Sequence, residues 1–209
     1  LPHDDYPPMP EYSDKVLAEF DCNILKEMIR KTFFSVSPDE SRQALNGLLL
    51  ETEGDNATLV GTDGHRLALI SRPVNSRVGK GEKASFLLPK KALSELLKLM
   101  EGDEAKFGFS SHENHLAFIH SKQVIVSRKI DSKFPNYRQV IPTDNPLKAQ
   151  ANREDLTRAL KRVALLADEK SKMVRFEIQK GSLTLVSDNT DLGAAVEEVA
   201  IEYDGDEVS

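Results

Sequence analysis

Cysteine is almost missing from this chain: Cys22 stands alone among 209 residues. A single thiol excludes an internal disulfide and any zinc or iron–sulfur centre built from several cysteines, and it suits a reducing compartment. Long apolar runs are missing as well. No stretch approaches the roughly 18 apolar residues that cross a bilayer as a helix. Residues 1–10 carry Asp4, Asp5 and several prolines in place of the basic and then apolar segments of a secretory leader. The expectation from these absences is a soluble, cytoplasmic protein. Overall positive charge is lacking too, since the net charge is −6. That excludes a chain that is basic throughout but not a local basic face, because net charge governs solubility and steering rather than sites. Without an initiator methionine, and stopping just past a strand pattern, the chain reads as a fragment of something longer. Its 39% apolar content supports one large or two modest domains.

What is present is repetition. Strands are expected at 15–20, 44–51, 57–62 and 66–73. A helix starts after the first of them, with Asp21-Cys22-Asn23 supplying N-cap residues and Leu25, Met28, Ile29 and Thr32 forming one apolar stripe. The series then recurs after a polar loop at 74–82. It has a strand at 84–88, Pro89 as the first helical residue, a stripe of Leu93, Leu96, Leu97 and Met100, and strands at 105–109, 115–120 and 123–130. Beyond a proline-bearing linker at 131–146, Asn152 caps a third helix striped by Leu156, Ala159, Leu160 and Val163, and strands follow at 173–179, 182–187 and 194–203. A unit of strand, helix and three strands thus repeats about every 65 residues, which predicts an α+β fold. Two units per domain give a linker at 1–15, a complete domain at 16–143 and half of another at 144–209. The linkers are alike, with Asp5-Tyr6-Pro7 before the first copy and Lys133-Phe134-Pro135-Asn136-Tyr137 before the third.

Positive charge gathers on the helices. Over 22–34, 89–100 and 152–166 there are ten lysines and arginines against four acids, a net +6, so the remainder carries −12. Superposed on Leu25, Leu93 and Leu156, the three helices place Arg30, Lys98 and Lys161 five positions later, on the outward side at 100° per residue. Lys31, Lys91, Arg158 and Arg162 flank them. Exposed helix faces are commonly lysine-rich, yet three helices agreeing in one acidic chain points to a surface suited to phosphates. With no interleaved aromatic or base-reading residues, such a surface would lack sequence specificity.

The stretch Gly61-Thr62-Asp63-Gly64-His65-Arg66-Leu67-Ala68 is the densest in chemistry. Asp63-Gly64 reads as a tight two-residue hairpin turn. Around it a hydroxyl, a carboxylate, an imidazole and a guanidinium lie within five residues and run straight into Leu67-Ala68-Leu69-Ile70. One reading is an apolar pocket with a polar rim. Another is a small metal-dependent hydrolase using Asp63 and His65, although such chemistry needs further convergent groups. His112, His115 and His120 form a second histidine group; treated as one strand, alternation separates His115 from the other two. Cys22 reads as a neutral residue at a helix start.

The residues 61–68, the preceding Leu45-Asn46-Gly47 with Leu50-Glu51, and Phe134-Pro135-Asn136-Tyr137-Arg138 with Ile141-Pro142 resemble the bacterial DNA polymerase III beta subunit, the beta sliding clamp family, over essentially the whole chain. The resemblance implies a DNA-clamp fold of three similar domains per subunit, two subunits forming a ring with helices lining a hole around duplex DNA and antiparallel sheets outside. This chain would correspond to the second domain and the first half of the third. The implied protein is a non-catalytic processivity factor without a cofactor or bound metal. It encircles DNA without sequence specificity and binds motif peptides of the replicative polymerase, the clamp loader and other partners. Positions matching the family's peptide groove are Arg42, Leu45, Thr62, Gly64, His65, Arg66, Leu67, Pro135 and Val140. Leu67, Pro135 and Val140 are expected in its floor, and Thr62, His65 and Arg66 on its rim. Gln139 stands where the family frequently has an arginine, and further walls would come from later in the third domain. Arg30, Lys31, Lys91, Lys98, Arg158, Lys161 and Arg162 would face DNA, and Leu165 and Leu166 match subunit-interface positions. A chain lacking the first domain is not expected to close the homodimeric ring.

Overall fold

The computed structural model describes residues 10–78, 82–100, 106–168 and 171–209. The expected linker residues 1–9, the middle of the 74–82 loop and the expected strand start at Ala105 lie outside the described residues. The chain divides into two compact units, Leu1–Val140 and Ile141–Ser209.

In the first unit β1 (Ala18–Asp21) leads into α1 (Cys22–Thr32), followed by β2 (Gly47–Glu53), β3 (Asn56–Thr62), β4 (Leu67–Pro73) and the short β5 (Asn75–Ser76). The series then repeats as β6 (Lys83–Pro89), α2 (Lys90–Leu99), β7 (Lys106–His112), β8 (His115–His120) and β9 (Gln123–Arg128). The two copies exchange their leading strands. β6 joins the first copy in the sheet order β4-β3-β2-β6, and β1 joins the second in the order β5-β1-β7-β8-β9, every pairing being antiparallel. The exchange ties the copies into one body around one core, in which Leu25, Met28 and Ile29 of α1 and Leu93 and Leu96 of α2 meet Leu48, Leu50, Leu59, Phe107, Phe109 and Phe118 of the sheets.

Helix α1 begins where its sequence allows. Asp21 is the N-cap, and its carboxylate accepts the backbone N–H groups of Asn23 and Ile24 at 2.9 and 3.4 Å, which meets part of the hydrogen-bonding demand at a helix start. Cys22 is the first helical residue and is fully buried. Glu27 fastens the helix to β4, accepting from Arg72 at 2.9 and 3.1 Å and from Lys31 at 2.7 Å. The hydrogen bonds from Arg72 and then Lys31 hold its carboxyl down at about 2.

A second apolar layer lies on the other face of the β4-β3-β2-β6 sheet. The run Leu48-Leu49-Leu50 is buried throughout because Leu48 and Leu50 enter the main core while Leu49 points the opposite way, onto Val60, Leu87 and Tyr137. What covers that outer face is the segment leaving the second copy: Ile130 and Phe134 pack there with Tyr137, and the Ile130 amide donates to the Leu87 carbonyl at 3.3 Å.

The second unit holds β10 (Gln150–Ala151), α3 (Arg153–Val163), β11 (Arg175–Gln179), β12 (Ser182–Asn189) and β13 (Gly193–Glu202), in an antiparallel sheet of order β10-β13-β12-β11. Asn152 caps α3, accepting from Glu154 and Asp155 at 2.9 and 3.2 Å. Ala159 and Val163 are buried against Leu183, Leu185, Val199 and Ile201, with Leu156 and Leu160 half-buried beside them.

The expected α+β repeat is therefore borne out, with local corrections. Residues 44–46 belong to a 3₁₀ turn around Gln43–Leu45 rather than to a strand. Pro89 is not the first helical residue; it ends β6 in extended conformation as the N-cap of α2. A short leading strand, β10, precedes Asn152 where none was expected. His112 and His115 are not separated by strand alternation, because a turn intervenes and they sit opposite each other across the β7–β8 pair. His120 is buried and stacks on Phe107 at 4.4 Å.

Candidate functional site

Thr62 and Leu67 are cross-strand partners, so the β3–β4 connection is the four-residue loop Asp63-Gly64-His65-Arg66 and not the expected two-residue turn. The reason is the Asp63 side chain. Its Oδ1 accepts the backbone N–H groups of His65 and Arg66, both at 3.0 Å, and Oδ2 accepts from Arg66 Nε at 3.0 Å. This side-chain-closed turn replaces a backbone-closed one. Gly64 takes a φ of +92° at the apex, where a side chain would be strained. Thr62 Oγ1 braces the base of the loop, donating to the Arg66 carbonyl at 2.7 Å and accepting from the Gly64 N–H at 3.1 Å. Arg42 reaches over to donate to the Asp63 carbonyl at 2.9 Å, and the Arg66 guanidinium lies 5.7 Å from the centre of the Phe34 ring. The amides of His65 and then Arg66, with the Arg66 side chain, keep the Asp63 carboxyl at about 2.

This loop forms one wall of a cavity of about 360 Å³ lined by Leu45, Thr62, Gly64, His65, Arg66, Leu67, Pro135, Asn136, Tyr137 and Val140. All ten belong to the first unit. The expected groove residues are thus brought together, Arg42 acting behind the wall through Asp63. Two corrections concern depth and membership. Val140, expected in the floor, is 69% exposed and stands at the mouth, and Pro135 is also exposed. The deeper apolar surface comes from half-buried Leu67 and from Tyr137, which is only 4% exposed. Tyr137 and Asn136 were missed as pocket residues. The signal for Tyr137 was a second aromatic three residues after Phe134 in a proline-bearing linker.

The basic helical residues are at the surface. Arg30, Lys31, Lys91, Lys98, Arg158, Lys161 and Arg162 are all exposed. Four carry intramolecular partners: Lys31 with Glu27 at 2.7 Å, Lys98 with Glu95 at 2.9 Å, Arg158 with Asp155 at 2.5 Å and Arg162 with Glu197 at 2.6 Å. Among the described residues, Arg30, Lys91 and Lys161 make no ion pair. In the first unit α1 and α2 are neighbours, linked by Lys26 Nζ donating to the Met100 carbonyl at 3.1 Å. Leu165 lies in a 3₁₀ turn after α3 and is 78% exposed, whereas Leu166 is half-buried. Among the described residues, no three His, Cys, Asp or Glu side chains gather closely enough to hold a metal ion, and no helix is long and apolar enough to cross a membrane.

Interlocked strand–helix–three-strand units with a loop-walled pocket on the outer sheet face define a clamp-type α+β fold. Known proteins give the class its name. Residues 19–136 match the DNA polymerase III beta subunit, central domain, and residues 138–209 match the C-terminal domain of the same subunit. The chain belongs to the DNA polymerase III beta subunit family. It is 31% identical over 207 residues to the beta sliding clamp of Haemophilus influenzae and 35% identical over 210 residues to that of Caulobacter vibrioides, covering 99% of this chain and 56% of each relative. It is similar in structure to the DNA polymerase sliding clamp of Pseudomonas aeruginosa, with a TM-score of 0.90 at 28% identity, and to the Thermotoga maritima beta subunit, with 0.89 at 31%. Each comparison covers all of this chain and 56% of the other. The chain therefore spans about half the length of the relatives it matches.

Proposed function

We propose that this chain is part of a DNA sliding clamp, a non-catalytic processivity factor that surrounds duplex DNA as a homodimeric ring and receives clamp-binding peptides of the replicative polymerase and clamp loader in the pocket beside Asp63–Arg66. Cytoplasmic residence follows from that role. The observation that carries the peptide reading is the pocket itself. A preformed concavity within the usual size range for ligand sites, apolar inside with a few fixed polar groups at the edge, coincides with the positions that the family resemblance assigns to the groove. The metal-hydrolase alternative fares poorly, because both Asp63 oxygens are occupied by the loop's own donors.

The test is a fluorescence anisotropy titration with a labelled peptide bearing a glutamine and apolar anchors. Burying one leucine-sized anchor is worth about 1.5–3 kcal/mol. Leu67→Asp places a carboxylate where the anchor must be desolvated and should weaken binding at least tenfold, whereas Lys98→Glu on α2 should leave it unchanged. Equal losses in both variants would move the site elsewhere.

A further inference from the structure

Three of the chain's distinctive residues, Glu51, Tyr137 and Arg138, line a second cavity of about 550 Å³ that abuts the first across Pro135–Tyr137. Glu51 lies on β2 on the same face as Leu49, directly under the returning segment. Its Oε2 accepts from the Tyr137 hydroxyl at 2.5 Å and from Arg138 Nη2 at 2.6 Å, and its Oε1 lies 3.3 Å from Arg138 Nη1. The Arg138 guanidinium sits 4.5 Å from the centre of the Tyr137 ring. One carboxylate therefore gathers two consecutive side chains of the strap, and a tight turn holds the rest: Tyr137 N–H donates to the Pro135 carbonyl at 2.8 Å and Val140 N–H to the Tyr137 carbonyl at 3.2 Å.

We infer that Glu51 is a positioning residue for the peptide pocket, acting through Tyr137 and Arg138 to fix the 135–140 strap over the sheet. The inference rests on the peptide-binding reading above. Neither Glu51 nor Arg138 lines the pocket, whereas Tyr137 does; Glu51 reaches the wall directly through Tyr137 and, through Arg138, holds the strap segment that carries Pro135 and Val140. Pro135, Tyr137 and Val140 are held against the sheet by few apolar contacts: only Tyr137 of the three belongs to the outer apolar layer. Without the carboxylate, the strap keeps its ring packing but loses its charged anchor, and an incoming peptide must order that wall as it binds. Preorganisation of this kind changes affinity without a contact to the ligand. The electrostatics agree: burial pushes the Glu51 carboxyl up, but the hydrogen bonds from Arg138 and Tyr137 outweigh it and hold it below the ordinary range. Burial and then the Glu51 hydrogen bond push the Tyr137 phenol up to about 12, so the donor and acceptor roles stand as written at neutral pH.

The experiment pairs peptide anisotropy with hydrogen exchange of residues 133–140 in Glu51→Ala, Glu51→Gln, Tyr137→Phe and Arg138→Ala. Hydrogen bonds to a charged group are the stronger kind, so Glu51→Ala should bind about tenfold more weakly. Exchange should rise in 133–140 while β2 and β3 stay protected. Glu51→Gln, whose amide oxygen still accepts from Tyr137, should fall within about threefold of the parent. Should Glu51→Ala fail to fold, Arg138→Ala and Tyr137→Phe carry the test, each expected to loosen the same segment and weaken the peptide a few-fold. Faster exchange with affinity unchanged within twofold, or a Gln variant as weak as the Ala variant, overturns the inference. Failure of the parent and of Leu67→Asp to differ in peptide binding would instead sink the peptide reading, leaving the exchange data to report on the strap alone.

Discussion

At the scale of single residues, the shape of the loop wall of the pocket rests on Asp63. Asp63 closes the loop through two backbone amides and one guanidinium, and those same bonds depress its carboxyl to about 2 from the usual 3.8. The sign follows from the direction of the shift. A group whose pKa is lower when folded adds stability that is fully present above its unfolded value and is lost as the pH falls through its folded value. The loop should therefore keep its shape from neutral pH down to about pH 4 and lose Asp63's contribution between about pH 4 and 2. An NMR titration of the Asp63 carboxyl should show a midpoint near 2, and one near 4 would mean the amide bonds are not held in solution. Asp63→Ala should broaden the amide resonances of His65 and Arg66 while leaving the β2 and β8 signals in place.

Secondary-structure elements show where sequence reasoning reached and where it stopped. Helix starts at Asp21 and Asn152 and the apolar stripes were legible because capping and 3.6-residue periodicity are local properties. The pocket residues from 45 to 67, with Pro135 and Val140, were legible through their resemblance to a family. The exchange of β1 and β6 between the two copies was not, because alternation marks a residue's face and says nothing about which strand lies alongside. Tyr137 escaped for a related reason: its burial depends on Leu49, Val60 and Leu87, all distant in the chain. Gly61 shows such a long-range constraint at one position. A Cβ there would lie 2.5 Å from Ser35 Oγ, 2.7 Å from Leu48 Cδ2 and 2.9 Å from the Thr32 carbonyl, so the end of α1 presses directly on β3 one residue before Thr62. Gly61→Ala should cost about 1–3 kcal/mol, the range for overpacking a filled core. A denaturant titration checks this, and an unchanged midpoint would mean that the α1 end yields freely.

For the molecule as a whole, the governing feature is separation of charge: an acidic chain with its helices net positive. Arg30 and Lys161 are exposed and, among the described residues, outside any ion pair; Lys98 is exposed and shares its charge with Glu95 only at the surface, where such pairs are weak and readily exchanged for another anion. If these helices meet DNA, the contact is with phosphates, and affinity comes from release of condensed counterions rather than from reading bases. Binding to random duplexes should then be weak and alike for different sequences, with log K falling linearly against log salt concentration. Arg30→Glu, Lys98→Glu and Lys161→Glu should each lower the slope by about 1 where the residue meets a phosphate, and the three together should remove measurable binding. Electrophoretic titrations at several salt concentrations distinguish the outcomes. Tight binding that survives both the triple change and raised salt would place any DNA surface away from the helices, whereas a strong preference for one sequence would mean that side chains read base edges and not phosphates alone.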